Sequence, residues 1–150
     1  METIKEAKIY LKQNYEKGAK CPCCGQNVKL YKRKLNSGMA YVLIHIYKKN
    51  DWVNVKDYLR ENKLRNNHDW TLLKYWGLIE EKLLEEKGKV KSSGVWRITE
   101  LGKKFVECKA TVSKYVLIYN TMFRGFTGEE ILIPETLKSY FNYNELMRNL

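Results

Sequence analysis

The sequence predicts an α+β fold that is mainly α. Apolar residues recur at helical spacing along most of the 150-residue chain. Between those stretches lie short β-branched or aromatic runs bounded by Gly, Asn or Lys, which read as hairpin strands. The length suits one domain, or one small domain with attachments, and is enough to bury a core. We divide the chain into residues 1–35 (a helix, a cysteine knuckle and a basic run), residues 36–108 (the central domain) and residues 109–150 (a C-terminal extension of a hairpin plus short helices).

Each element has its own signal. Ile4, Ala7, Leu11 and Tyr15 make residues 3–16 an amphipathic helix that stops near Gly18. The knuckle CPCCG follows, then the basic run Lys29–Lys34. Asn36 or Ser37 can cap a helix whose core face is Met39, Val42, Leu43, Ile46 and Tyr47, ending near Asn50. Trp52, Val53 and Val55 suit a short strand, and Asp57 can cap a short helix reaching Leu64. The polar stretch Arg65–His68 leads into a helix with Leu72, Leu73 and Trp76 inward and Gly77 as its stop. Leu78 to Leu84 is a strand, KGKVKSSG at 87–94 a basic loop, and Val95 to Ile98 the returning strand. Thr99 caps a helix with Leu101, Phe105 and Cys108 on one face, which makes Cys108 a buried thiol. Tyr115–Tyr119 and Ile131–Ile133 are read as a hairpin joined by a turn region over Phe123–Glu130, with Gly125 and Gly128 in the turn. Pro134 then opens a short helix anchored by Leu137, Tyr140 and Phe141. The four tryptophans, Trp52, Trp70, Trp76 and Trp96, are read as core.

The formal charge is +11, divided as +6 over residues 1–35, +4 over 36–107 and +1 over 108–150. Such an excess on a small protein favours a polyanionic partner, and nucleic acid first. Solvation of a charged face is the plainer alternative. No apolar run approaches the roughly 20 residues of a membrane span, and the charged N-terminus is no signal peptide, so a cytoplasmic location is expected. No phosphate-binding loop, nucleophile elbow, zinc-protease helix or dinucleotide fingerprint occurs, so no enzyme is expected.

From Ser37 to Glu107 the order is helix, short strand, helix, turn, helix, strand, basic loop, strand, helix. That is the order of a winged helix-turn-helix domain. LLKYWGLIEE at 72–81, KGKVKSSG and VWRITELGKKF at 95–105 together resemble the MarR and PadR groups of bacterial regulators. Nearly the whole chain, through CPCCGQ, YKRKLNSGMAYVLI, YWGLI, WRIT, KYVLIYN and FNYNELM, also resembles a group of small bacteriophage proteins with no established activity. These resemblances imply a phage or prophage transcriptional regulator in the cytoplasm of a bacterial host.

A DNA-binding reading names its residues. Asn66, Asn67, His68, Thr71 and Lys74, with Arg65, would meet base edges and phosphates in the major groove. Lys87, Lys89, Lys91 and Ser92, together with Ser93, would touch backbone or minor groove. Lys32, Arg33 and Lys34 would grip phosphate outside that footprint. The partner is then double-stranded DNA, bound by a homodimer. The alternative partner is a host protein, contacted by the hairpin and tyrosine-rich tail over residues 112–143.

The knuckle C-P-x-C-G is half of a zinc site. Cys21 and Cys24 can hold one metal from a tight turn that Pro22 pre-sets, while Gly25 lets backbone N–H groups approach the sulfurs. Three completions stay open. Cys23 or Cys108 joins, with His45 or His68; or two chains each supply Cys21 and Cys24; or no metal binds.

Overall fold

The computed structural model describes residues 3–64 and 68–148. In chain order the elements are α1 (Ile4–Asn14), β1 (Ala19–Lys20), β2 (Asn27–Val28), β3 (Tyr31–Lys34), α2 (Ser37–Lys49), β4 (Val53–Asn54), α3 (Val55–Glu61), a 3-10 helix (His68–Trp76), β5 (Ile79–Glu86), β6 (Lys89–Ile98), α4 (Glu100–Val106), β7 (Val112–Tyr119), β8 (Met122–Ile131), α5 (Ile133–Leu137) and α6 (Tyr143–Arg148). The strands form three small antiparallel sheets, ordered β1-β2, β3-β7-β8 and β4-β6-β5.

This corrects the expected fold class. Helix accounts for 41% and strand for 32%, so the chain is α+β in nearly equal parts and not mainly α. No winged helix-turn-helix is identified. The segment expected to read the major groove is a nine-residue 3-10 helix. Its buried residues Trp70, Leu73 and Trp76 fall every third position, which matches the three residues per turn of that helix and not an α-helical stripe.

Contacts divide the chain into two compact units. The smaller comprises Met1–Lys34 and Tyr115–Thr127, and the larger Leu35–Lys114 and Gly128–Leu150. β7 and β8 thus contribute residues to both.

In the smaller unit, Thr3 caps α1 by accepting the Glu6 N–H at 3.1 Å. Glu6 in the first turn and Lys12 in the last complement the helix dipole. Only Ala7 is buried, whereas Ile4 stays 69% exposed, so the expected apolar stripe is covered at its middle and open at its start. β1 and β2 pair Ala19 with Val28 and Lys20 with Asn27, and the cysteine turn lies between them. β3 pairs with β7 in the register Tyr31–Ile118 to Lys34–Tyr115 and forms an edge of its sheet. Residues directly opposite share a face, so Tyr31 and Arg33 lie with Val116 and Ile118, and Lys32 and Lys34 lie with Tyr115 and Leu117. β7 turns into β8 through Asn120 and Thr121, with φ +47° and +63°. A two-residue turn with both φ positive matches the right-handed twist of the flanking strands. The hairpin therefore turns there, and the expected turn region Phe123–Glu130 is strand.

The larger unit is built round α2. Asn36 accepts the Met39 N–H at 2.9 Å, and Asn50, with φ +48°, ends the helix. Met39, Ala40, Val42, Leu43, Ile44 and Ile46 are buried, because the 3-10 helix, α4, α5 and β6 all pack on it. Asn54, not Asp57, caps α3, accepting the Asp57 N–H at 3.1 Å; Val55 is therefore helix and not strand. Thr99 caps α4 twice over: its hydroxyl donates to the Gly77 carbonyl at 2.6 Å and accepts the Gly102 N–H at 3.0 Å. A side chain at Gly102 would collide with the Leu78 carbonyl and sit 2.6 Å from Ile98. Helix α4 and β5 approach that closely because the position is glycine.

Candidate nucleic-acid interface and cysteine knuckle

Charge separates the two units. The smaller holds ten Lys and Arg against three acids, a net +7; the larger holds eighteen against fourteen, a net +4. All four residues of β3 are exposed. Lys32 lies over the Tyr115 ring at 4.1 Å, Lys29 and Arg33 each lie 5.6 Å from the Tyr31 ring, and Arg124 lies 5.8 Å from the Tyr119 ring. These pairs hold the charged ends of long side chains on or beside flat rings. Tyr15 meets Tyr119 edge-on at 6.0 Å, joining α1 to the same sheet.

Two open clefts belong to this unit. One, about 380 Å³, is lined by Lys8, Leu11, Lys12, Tyr15, Val28, Tyr119 and Arg124. The other, about 710 Å³, has Lys20, Gln26, Asn27, Lys29, Tyr31 and Asn120 among its walls. Both carry cationic rims and no acid.

The hairpin β5-β6 presents a different picture. Residues 82–92 are exposed on both faces and turn at Lys87 and Gly88, both with positive φ. Five bases, Lys82, Lys87, Lys89, Lys91 and Arg97, oppose four acids, Glu80, Glu81, Glu85 and Glu86, for a net +1. Three of the four acids, Glu80, Glu81 and Glu86, are engaged across the strands. Lys91 pairs with Glu86 at 3.1 Å, Arg97 with Glu80, and the Ser92 hydroxyl with Glu81. Of the expected wing contacts, Lys87 and Lys89 stand outward at the tip, while Lys91 and Ser92 are tied to carboxylates.

The remaining groove residues scatter. Arg65, Asn66 and Asn67 lie outside the described residues. His68 and Lys74 are exposed. The Thr71 hydroxyl donates to the His68 carbonyl at 2.8 Å. Three tryptophans are buried as expected, with Trp70 edge-on to Trp96 at 5.7 Å and the Trp76 indole donating to the Ser113 carbonyl. Trp52 is half-buried beneath the Arg97 guanidinium, 4.3 Å away.

In the knuckle, the Cys21 N–H donates to the Gln26 carbonyl at 2.8 Å and the Gly25 N–H to the Cys21 carbonyl at 2.9 Å. Gly25 takes φ +73°, the left-handed conformation that closes such a turn. The backbone N–H groups of Cys23 and then Cys24 point at the Cys21 sulfur and hold its thiol below the usual cysteine range, aided by the Cys24 thiol. Cys21 is half-buried; Cys23 and Cys24 are exposed. Among the described residues, no three His, Cys, Asp or Glu side chains come together as a metal-holding group.

The other residues considered as ligands have their own surroundings. Cys108 follows the end of α4 with φ +60°, half-buried and beside the Tyr143 hydroxyl, so it is not on the inner face of that helix. His45 has Nδ1 3.0 Å from the Tyr58 hydroxyl and packs edge-on against Tyr41. Burial, then the nearby Lys48, depresses its pKa, and its buried Nε2 has no partner. No helix among the described residues is long and apolar enough to cross a membrane.

Sequence reasoning missed the exposed apolar side chains of β8, with Met122 47%, Phe123 47% and Phe126 46% exposed and the two phenylalanine rings edge-on at 4.9 Å. Apolar residues set among glycines read as a turn, which concealed them. No protein-family model, curated protein or solved structure matches the chain.

Proposed function

We propose that this protein binds double-stranded DNA through its smaller unit, with Lys32, Arg33 and Lys34 on β3 gripping the phosphate backbone. The carrying observation is the charge partition: +7 concentrated in that unit, against +1 for the whole β5-β6 hairpin. Duplex DNA carries about one negative charge per 1.7 Å of axis, so a dense exposed cationic strand gains more from it than a self-neutralised hairpin does. Tyr31, Tyr115 and Tyr119 each have one of the chain's own cations on or beside the ring. Their faces are thus occupied, which favours phosphate contact over the base stacking that single strands require. Contacts of this kind position a protein without reading sequence. A regulatory role in a phage or prophage is the setting that the resemblances suggest.

The test is binding of the purified chain to a random duplex between about 50 and 200 mM salt. Replacing Lys32, Arg33 and Lys34 together by Gln is expected to weaken binding and lower the salt slope by nearly one per lost phosphate contact. An unchanged slope would overturn the assignment.

A second reading rests on the exposed Met122, Phe123 and Phe126 of β8. Aromatic residues on an edge strand suit a protein contact. A host partner that survives nuclease treatment, and is lost when Phe123 and Phe126 are both replaced by Ser, would favour it.

A further inference from the structure

We infer that Cys21 and Cys24 bind one Zn²⁺ whose coordination is completed by the same two cysteines of a second copy of this chain. The argument starts from the turn. Gly25 in the left-handed conformation, the Gly25–Cys21 backbone bond and the ladder β1-β2 close one tight loop that carries both Cys21 and Cys24. A structural zinc asks for four ligands in a tetrahedron, with Zn–S near about 2.3 Å. The smaller unit offers three thiols, Cys21, Cys23 and Cys24, and among the described residues they do not gather as a set of three ligands. It contains no histidine and no aspartate, and its only acids are Glu2, Glu6 and Glu16. Among the described residues no group of three ligands forms anywhere. A half-buried Cys21 beside an exposed Cys24, and half a site, fits a two-fold arrangement in which each copy gives what the other lacks.

The smaller unit also has reason to need such a staple. Of the 27 buried apolar residues among the described residues, it holds five: Ala7, Val28, Leu30, Val116 and Ile118. A body of that size with so small a core is usually reinforced by a metal, a disulfide or association. The ionic chemistry is consistent. Four thiols release four protons to solvent, and the resulting Zn(Cys)₄ centre carries charge −2, which the net +7 of each smaller unit offsets. Repulsion between two +7 units opposes pairing, but it is screened over about 8 Å at physiological salt. This inference stands whether or not the chain binds DNA.

The experiment uses the full chain in a thiol reductant, titrated with Zn²⁺ and, for a spectroscopic signature, with Co²⁺. Metal per chain is measured after gel filtration with light scattering. The expected result is half a metal ion per chain, a mass twice 17.9 kDa that returns to 17.9 kDa on chelation, and a Co²⁺ spectrum of tetrahedral all-sulfur ligation. Cys24→Ser is expected to abolish metal and dimer together, whereas Cys23→Ser and Cys108→Ser leave both intact. One metal per monomer, no retained metal, a dimer that persists without metal, or loss of the site in Cys23→Ser would each overturn the inference. Should Cys24→Ser misfold, the stoichiometry and mass of the unmodified chain still decide the matter.

Discussion

At the scale of single residues, His45 shows how packing sets chemistry. It sits at a half-buried position in α2, between Tyr41 and Tyr58, with Tyr41 stacked on Phe141 at 4.4 Å. Removal from water disfavours the imidazolium, and Lys48 adds to the effect. The unfolded chain, with His near about 6.5, therefore binds the proton more readily than the folded one, and folding stability falls as the pH drops through that value. Urea unfolding at pH 7.5 and at pH 5.5 should show the native chain losing stability at the lower pH, and His45→Phe should flatten that difference. A loss of equal size in His45→Phe would place the effect elsewhere. Glu107 does not confound the comparison. The Tyr47 hydroxyl at 2.9 Å holds its carboxyl low, so its contribution is lost only further into acid. The residue scale is also where reading from sequence did best. Asn36 and Thr99 declare themselves as caps and Gly77 as a helix stop, because short side-chain hydrogen bonds and a positive φ are local properties that a tetrapeptide already encodes.

At the scale of elements, local signals competed with pairing and sometimes lost. Gly125 and Gly128 look like turn residues in isolation, yet β7 extends a ladder across them, and the chain had already reversed at Asn120 and Thr121. β3 was legible as a basic run but not as a strand. All four of its side chains are exposed, so no alternation of apolar and polar residues marks it, and its partner lies some eighty residues away. The 3-10 helix was half legible: Trp70, Leu73 and Trp76 state a period of three, although Leu72 invites an α-helical reading. The hairpin β5-β6 permits a test at this scale. Beyond Lys82 and Ser92 it buries nothing, and Leu83, Leu84 and Val90 stay 60%, 51% and 67% exposed. Replacing Leu84–Lys91 by Asn-Gly, a two-residue turn, should therefore cost less than about 1 kcal/mol in chemical unfolding, since exposed positions contribute little. It should also weaken DNA binding far less than neutralising β3. A loss several times larger would mean that the arm is packed in the working protein.

At the scale of the whole molecule, the chain is two bodies of unequal character: a larger one with 22 of the 27 buried apolar residues among those described, and a smaller one with most of the net charge. The sequence alone places +6 of the charge in residues 1–35, and strand pairing adds residues 115–127, with Arg124, to that unit. The proposed site shifts accordingly, from residues 65–74 and the loop at 87–94 to the strand at 31–34, which the sequence reading set outside the main footprint. One consequence concerns self-association. β3 is an edge strand, and an open edge invites another chain to add to it. Lys32, Arg33 and Lys34 act there as gatekeepers: like charges three deep repel an incoming copy of the same strand. Replacing all three by Ala would erase that guard as well as the phosphate grip, leaving a run of Tyr, three alanines and Leu at the border of the sheet. Such a variant should form thioflavin-positive aggregates on storage, while the counterpart with three glutamates should stay monodisperse and fail to bind DNA. Light scattering over time would separate the two, and equal clarity in both would mean that the border is sealed by something other than charge.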